Sequence, residues 1–94
     1  MKTEIGVYEI GTNSGLFKRF TVPFTTNFQS TPVFVANTLQ GTNYPGEIPD
    51  TFAVSVKSVN TREAVVQVWR VDNPGSAKYW MQNLRLCWIA MGQN

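Results

Sequence analysis

Apolar and polar residues along this chain alternate with a period of two, in short segments separated by turn-forming residues. The turn formers fall at 11–15, 23, 30–32, 41–49, 60–62 and 73–75. The segments between them are too short for helices of about ten or more residues, and they are rich in β-branched and aromatic residues. This pattern predicts six strands, at 5–10, 16–22, 32–39, 51–59, 64–71 and 83–91.

The clearest alternation lies in the last three predicted strands. In the fourth, Phe52, Val54 and Val56 share one face, and the other two strands repeat the pattern. Six strands with frequent turns indicate a single all-β domain over residues 1–94, a six-stranded antiparallel β-sandwich. The predicted core consists of Phe20, Val22, Val33, Val35, Phe52, Val54, Val56, Val66, Val68, Leu84, Leu86 and Trp88.

The other faces of the last two predicted strands are also apolar. On them lie Val65, Trp69, Val71, Cys87, Ile89 and Met91. Contiguous exposed apolar patches usually mark contact surfaces, so we expect a homo-oligomer packed through the outer faces of these two strands. The alternative is that a loop or the N-terminal strand of the same chain covers them.

Composition narrows the chemistry that the chain can perform. There is no histidine, which excludes histidine-based acid–base catalysis and histidine metal sites, and we expect no metal and no cofactor. The single cysteine, Cys87, has neither a disulfide partner nor a histidine to activate it, so we expect a core or interface residue. Carboxylates that are distant in sequence could converge, for example Glu47 or Asp50 with Asp72, which leaves a glycosidase as an alternative to the expected non-enzymatic protein.

Charge and hydropathy narrow the partners. Charged residues make up 15% of the chain and the net charge is +2, with basic residues scattered, so the footprint of a nucleic-acid binder is missing. No apolar run is long enough to span a membrane, and the N-terminus lacks the apolar core of a signal peptide. The polarity lies instead in Thr, Asn, Gln and Ser, which suits ligands that carry neutral hydroxyl groups.

Two segments are candidates for ligand binding. The run Arg70-Val71-Asp72-Asn73, followed by Tyr79 and Trp80, combines a hydrogen-bond donor, acceptors and aromatic rings, the groups that bind sugars. The alternative is structural, with Arg70 and Asp72 forming a salt bridge and Trp80 capping one end of the sandwich.

The second candidate segment is residues 40–50, which carries Tyr44, Glu47 and Asp50 and is either a binding loop or a plain connection. Gln82 and Asn83 raise the same question, because they could face a site, begin strand pairing or line a polar junction between subunits.

From Phe20 onward the chain resembles an H-type lectin domain, the fold of snail agglutinins and of the discoidin C-terminal domain. The similarity runs through FTVPFTTNFQSTPVFV, PDTFAVSVKSV, EAVVQVWRVDN and YWMQNLRLCWIA, in that order. It is strongest to bacterial and phage-type members that read R-V-D and then W-x-Q-N-L-x-L-x-W. The resemblance covers residues 20–91.

The resemblance implies a homotrimer, or a hexamer built from trimers, that binds galactose or N-acetylgalactosamine glycans at subunit junctions without a cofactor. The residues that it carries over are Arg70, Asp72 and Trp80, beside which Asn73 and Tyr79 complete the candidate site. The snail agglutinins' aromatic position is Val71 here, and their arginine position falls near Thr51. The predicted function is a multivalent lectin at an extracellular, cell or virion surface; the alternative is a trimeric attachment module without a sugar site, such as a phage fibre domain.

Overall fold

Six antiparallel strands form two three-stranded sheets in the computed structural model, which describes residues 1–43, 50–72 and 78–93. The strands are β1 (Lys2–Asn13), β2 (Lys18–Pro23), β3 (Val33–Leu39), β4 (Phe52–Val59), β5 (Glu63–Arg70) and β6 (Trp80–Gly92). One sheet has the order β1-β6-β3 and is called here the β6 sheet; the other has the order β2-β5-β4 and is called the β5 sheet. The predicted all-β sandwich is therefore confirmed.

The core lies between the two central strands, because each of these strands is hydrogen-bonded on both edges and presents one face to the opposite sheet. Ala64, Val66 and Val68 of β5 are fully buried, and so are Leu84 and Leu86 of β6. Burial of a side chain of this size stabilises the fold by roughly 1.5–3 kcal/mol relative to leaving it in water. The alternation predicted for these two strands is thus confirmed.

Aromatic rings close the space between the sheets. Tyr8 of β1 stacks on Phe20 of β2 with ring centroids 4.8 Å apart, and Phe52 meets Trp80 edge to face at 5.1 Å. A third group fills the end of the core near the link between β2 and β3 and consists of Phe24, Phe28, Phe34 and Trp88. Offset and edge-to-face ring pairs of this kind add stability beyond their buried area.

Three residues of the predicted core are on the surface instead. Val33 is 62% exposed and Val35 57%, while Val56 lies 40% exposed near the β4 bulge. In β3 the inward residues are Phe34 and Ala36, which pair with Ala90 and Trp88 of β6. Directly paired residues point to the same side of a sheet, so the register with β6 selects the Phe34 face over the valine face.

The predicted oligomer surface is divided between two sheets. Because β5 and β6 are central in opposite sheets, their outer faces point away from each other and cannot form one patch. The expectation of a single interface through the outer faces of the last two strands was therefore wrong. The exposed apolar residues of the β6 sheet form a separate surface, described below.

Two glycines in β1 answer geometric demands. Gly11 has a φ of 84°, a backbone conformation that other residues seldom adopt. It lies at a register shift between β1 and β6. Gly6 faces inward beneath Trp88, and a Cβ atom there would lie 2.5 to 2.8 Å from three atoms of the indole ring. The ring of Trp88 therefore packs directly on the β1 backbone.

Replacing Gly6 by Ala is expected to lower the free energy of unfolding by about 1–3 kcal/mol, because the Trp88 ring must shift within a packed core. Gly15→Ala is the matched control, since a Cβ atom there meets its nearest neighbours at 3.8 Å. Urea denaturation followed by tryptophan fluorescence measures both. Equal stability of the two variants would contradict the packing described for Gly6.

Candidate functional site

Arg70 is the centre of a polar cluster at the end of the sandwich where β5 finishes and β6 begins. Its guanidinium donates from Nε to Oδ1 of Asp72 at 2.9 Å and from Nη2 to Oδ2 at 3.0 Å, a bidentate ion pair. Nη2 also lies 3.0 Å from Oδ1 of Asp50, and Nη1 donates to the carbonyl of Tyr79 at 3.0 Å. One cation thus binds two carboxylates and a carbonyl.

The cluster continues through buried polar groups into β6. Gln82 is 2% exposed, donates to Oδ2 of Asp50 at 3.1 Å, and accepts a hydrogen bond from the backbone N–H of Gly41 at 2.8 Å. We call Arg70, Asp72, Asp50 and Gln82 the Arg70 network. None of their buried side-chain nitrogen or oxygen atoms lacks a hydrogen-bond partner, as polar groups withdrawn from water require.

The Arg70 network and its neighbours hold three chain segments together. Asp72 accepts a hydrogen bond from the Thr51 N–H at 2.9 Å, and the Val71 N–H donates to the Thr51 carbonyl at 2.8 Å. The Trp80 indole N–H donates to the Gly11 carbonyl at 2.7 Å, which adds the C-terminal part of β1. The backbone around this end of the sandwich is therefore fixed by side-chain hydrogen bonds.

Electrostatics at the Arg70 network favour permanently charged groups. The bidentate hydrogen bonds from Arg70 lower the pKa of Asp72 from 3.8 to about 2, with a smaller contribution from the Thr51 N–H. The hydrogen bond to Asp72 in turn raises the pKa of Arg70. Asp50 and Asp72 do converge, as the sequence analysis allowed, but they converge on a cation. A carboxylate held at this pKa is ionised at neutral pH and has no proton to give as a general acid.

The predicted site residues divide into a buried and an exposed group. Trp80 is 1% exposed with its ring in the core, so burial favours the capping role over stacking on a sugar. Arg70 and Asp72 form the salt bridge that was the structural alternative. Tyr79 is 49% exposed and is the ring available to a ligand. Asn73 lies outside the described residues, as do Tyr44 and Glu47 of the other candidate segment.

Sequence reasoning missed the part played by Asp50 and Gln82 in this cluster. Asp50 was weighed as a residue of the candidate binding loop and as a possible acid, and Gln82 as a residue of a site, of strand pairing or of a polar subunit junction. The available signal was the burial pattern of β6, in which Gln82 falls on the same face as Leu84 and Leu86. A polar residue in a buried alternation needs an internal partner, and Asp50 is that partner.

A second feature is the outer face of the β6 sheet, which is apolar and exposed. Three cross-strand rows define it: Val33–Met91–Thr3, Val35–Ile89–Ile5 and Asn37–Cys87–Val7. Ile5 is 72% exposed, and a shallow groove of about 300 Å³ runs between β1 and β3 over Ile89. Cys87 is exposed in the middle of this face, so of its two predicted roles, core and interface, only the interface remains open.

No helix among the described residues is long and apolar enough to cross a membrane. Within those same ranges, no group of three or more His, Cys, Asp or Glu residues is placed so that it could hold a metal ion.

The pKa of Asp72 predicts how stability depends on pH. It is lower in the folded state than in the unfolded chain, so the Arg70–Asp72 pair contributes fully above about pH 4, and its contribution is lost as pH falls towards 2. Asp72→Asn is expected to lower the free energy of unfolding by about 1–2 kcal/mol at pH 7 and to change little at pH 2.

Urea unfolding at both pH values measures this difference. Glu63→Gln is the control, because the Glu63 side chain forms no hydrogen bond or salt bridge with any described residue and its partner across the β2–β5 ladder, Pro23, is uncharged. Desolvation raises the pKa of Glu4, but hydrogen bonds from Thr25 and Thr26 lower it overall. Glu4 is unchanged in both variants, so its titration affects their stability equally. A loss in Asp72→Asn that is equally large at pH 2 and pH 7 would rule out the ion pair as its cause.

Comparison with known proteins adds one observation about the fold. No protein-family model matches the chain, and no curated protein matches it either. The fold is similar to the solved structure of an N-truncated R1-type pyocin tail fiber, with a TM-score of 0.71 and 19% sequence identity. The alignment covers 96% of this chain and 69% of the tail-fiber chain, so nearly the whole domain has the fold of a part of that fiber.

Proposed function

We propose that this domain is a self-associating attachment module of the kind found in fibres, and that copies of it pack through the outer face of the β6 sheet. The observation that carries this proposal is the exposure of an apolar face on three hydrogen-bonded strands. Ile5, Val33 and Val35 are each more than half exposed. Monomers rarely leave contiguous apolar surface of this kind in water.

The geometry of the face supports pairing with identical copies. Its apolar rows run across the sheet, with Ile89 and Met91 on the central strand flanked by Ile5 on one side and by Val33 and Val35 on the other. No charged side chain lies in these rows, and the first charged pair, Glu9 beside Arg85, comes at their end. A charge-depleted apolar centre with a polar boundary is the usual composition of an interface between subunits.

The similarity in fold to a tail-fiber fragment supports the same role. Homo-oligomers usually have closed symmetry, and a closed symmetric arrangement of three copies would bury this face on each of them. We propose a trimer as the basic assembly, as the resemblance to H-type lectins also implies. Two such trimers would form a hexamer. A non-enzymatic role accords with the lowered pKa of Asp72, which leaves this carboxylate without a proton to give as a general acid at neutral pH.

A second proposal is that the module binds galactose-type glycans at the end of the sandwich that carries the Arg70 network. The observation favouring it is Tyr79, whose ring is about half exposed and whose backbone carbonyl accepts a hydrogen bond from Arg70 at 3.0 Å. An exposed ring on a fixed backbone, beside hydrogen-bonding groups, suits the C–H face and hydroxyls of a neutral sugar. In this proposal Arg70 and Asp72 position the Tyr79 backbone, and Asn73 remains a predicted contact.

Introducing a charge into the β6-sheet face is expected to dissociate the assembly. Sedimentation equilibrium of the wild type should give three times the 10.6 kDa mass of one chain, and Ile89→Lys should give the mass of one chain. Val71→Lys is the matched control, since Val71 is 53% exposed but lies outside this face. A wild type that remains monomeric at about 100 μM, a concentration well above the dissociation constants of most stable homo-oligomers, would refute the assembly.

Glycan binding at Tyr79 predicts a loss of glycan affinity that is separate from any loss of assembly. Titration with a galactose-terminated oligosaccharide should show about two- to tenfold weaker binding by Tyr79→Ala, the range expected for loss of one ring contact. Met81→Ala is the control, because Met81 is 73% exposed only two residues away. If the two variants bind as the wild type does, or if no galactose-type glycan binds at all, the sugar proposal fails while the assembly proposal stands.

A further inference from the structure

The outer face of the β5 sheet carries a row of two aromatic rings with a cation at each end. The Arg19 guanidinium carbon lies 6.0 Å from the centroid of the Phe17 ring, and the Phe17 and Trp69 centroids are 6.1 Å apart. The Lys57 ammonium lies 5.8 Å from the centroid of Trp69. We call Arg19, Phe17, Trp69 and Lys57 the aromatic–cationic row. The β6-sheet face of the proposed assembly lies on the opposite side of the sandwich.

Strand register places this row on one side. Gln67 and Trp69 alternate with the buried Val66 and Val68 on β5, so they point outward. Arg19 of β2 pairs directly with Gln67, and Phe17 precedes it by two residues. On the other flank Trp69 pairs with Ala53, a residue too small to cover the indole. The ring of Trp69 is thus bordered by a small side chain on β4 and by Phe17 beside β2.

The two cations have no anionic partner among the described residues. Arg19 donates its Nε–H to the buried Oε1 of Gln67 at 2.7 Å, which fixes the guanidinium while leaving its terminal nitrogens without a hydrogen bond to any described residue. Lys57 is exposed and forms no salt bridge within the described ranges. The residues that pair with the outward positions of β5 beside this row are Ala53, Ser55, Thr21 and Ser58, none of them acidic. The positive charge of the face is therefore open to a ligand.

We propose that the aromatic–cationic row binds an anionic saccharide, one that carries sulfate or carboxylate groups on its rings. A flat sugar ring would lie against Trp69, and its anionic groups would meet Arg19 and Lys57 at either end. Arg19 presents a planar fork of donors suited to an oxyanion, and Lys57 a compact point charge. The neighbouring Ser and Thr hydroxyls suit the neutral hydroxyls of the same ligand, a feature that an acidic peptide would leave unused.

This inference goes beyond the proposed function and does not depend on it. The proposed assembly uses the β6-sheet face, and the proposed galactose site lies at the Tyr79 end of the sandwich. Neither uses Phe17, Arg19, Lys57 or Trp69. Loss of assembly and loss of neutral-glycan binding can therefore both be observed without any effect on the row, and the reverse holds as well.

Calorimetric titration with a heparin octasaccharide, and with the same octasaccharide after chemical desulfation, tests the proposal. The sulfated form should bind and the desulfated form should bind at least tenfold more weakly. The double variant Arg19→Gln/Lys57→Gln should reduce affinity for the sulfated form about tenfold, since exposed ion pairs contribute up to about fivefold each. Trp69→Leu should reduce it about fivefold, with circular dichroism confirming the fold.

Arg62→Gln is the matched control, because it removes an exposed cation from the turn between β4 and β5, away from the row. It should change affinity less than twofold. Three results would each overturn the proposal: equal binding of the desulfated form, an equal loss in Arg62→Gln and in the double variant, or tighter binding of polyglutamate than of the octasaccharide. Galactose binding serves as the independent readout for the Tyr79 site.

Discussion

The contact between the inner faces of β5 and β6 is the constraint on which the rest of this domain depends. Each of the two strands is central in its sheet, and each buries an unbroken alternate set of side chains against the other, such as Val66 and Val68 against Leu84 and Leu86. Once these faces meet, the side of each outer strand that faces the core is determined. Their register with a central strand decides which residues enter the core and which remain in water.

The Arg70 network supplies a hydrogen-bond partner for a polar side chain that this packing buries. Where the sandwich ends, the buried face of β6 still continues, and Gln82 occupies a position that an apolar residue would otherwise fill. Its amide donates to Asp50 and accepts from the Gly41 N–H, and the ion pair of Asp50 with Arg70 joins chain segments that are far apart in sequence. A fully bonded network of this kind holds backbone in place even where it contributes little net stability. The same network positions the Tyr79 backbone through the hydrogen bond from Arg70 to its carbonyl.

The sequence was informative where one face of a strand is apolar and the other polar, and ambiguous where both are apolar. All six strands were predicted, and the inward residues of β5 and β6 were identified correctly. In β3 the choice between Val35 and Phe34 could not be made from alternation, because it depends on pairing with β6. The site was predicted from residue types alone, so the pairing of Arg70 with Asp72 was foreseen as an alternative, whereas Asp50 required the fold to bring it close. Burial of Trp80 likewise follows from the three-residue extension of β6 beyond its predicted start.

The opposed directions of the two sheet faces have a consequence for avidity. An assembly joined through the β6 sheets turns every β5 sheet outward, so each added copy repeats the same outer surface at a fixed distance from the others. Binding of one copy to a repetitive surface then raises the effective concentration of the remaining copies there, and the gain can reach several orders of magnitude when the spacings agree. A small domain with weak individual contacts would in this way distinguish a dense array of ligands from the same ligands scattered in solution.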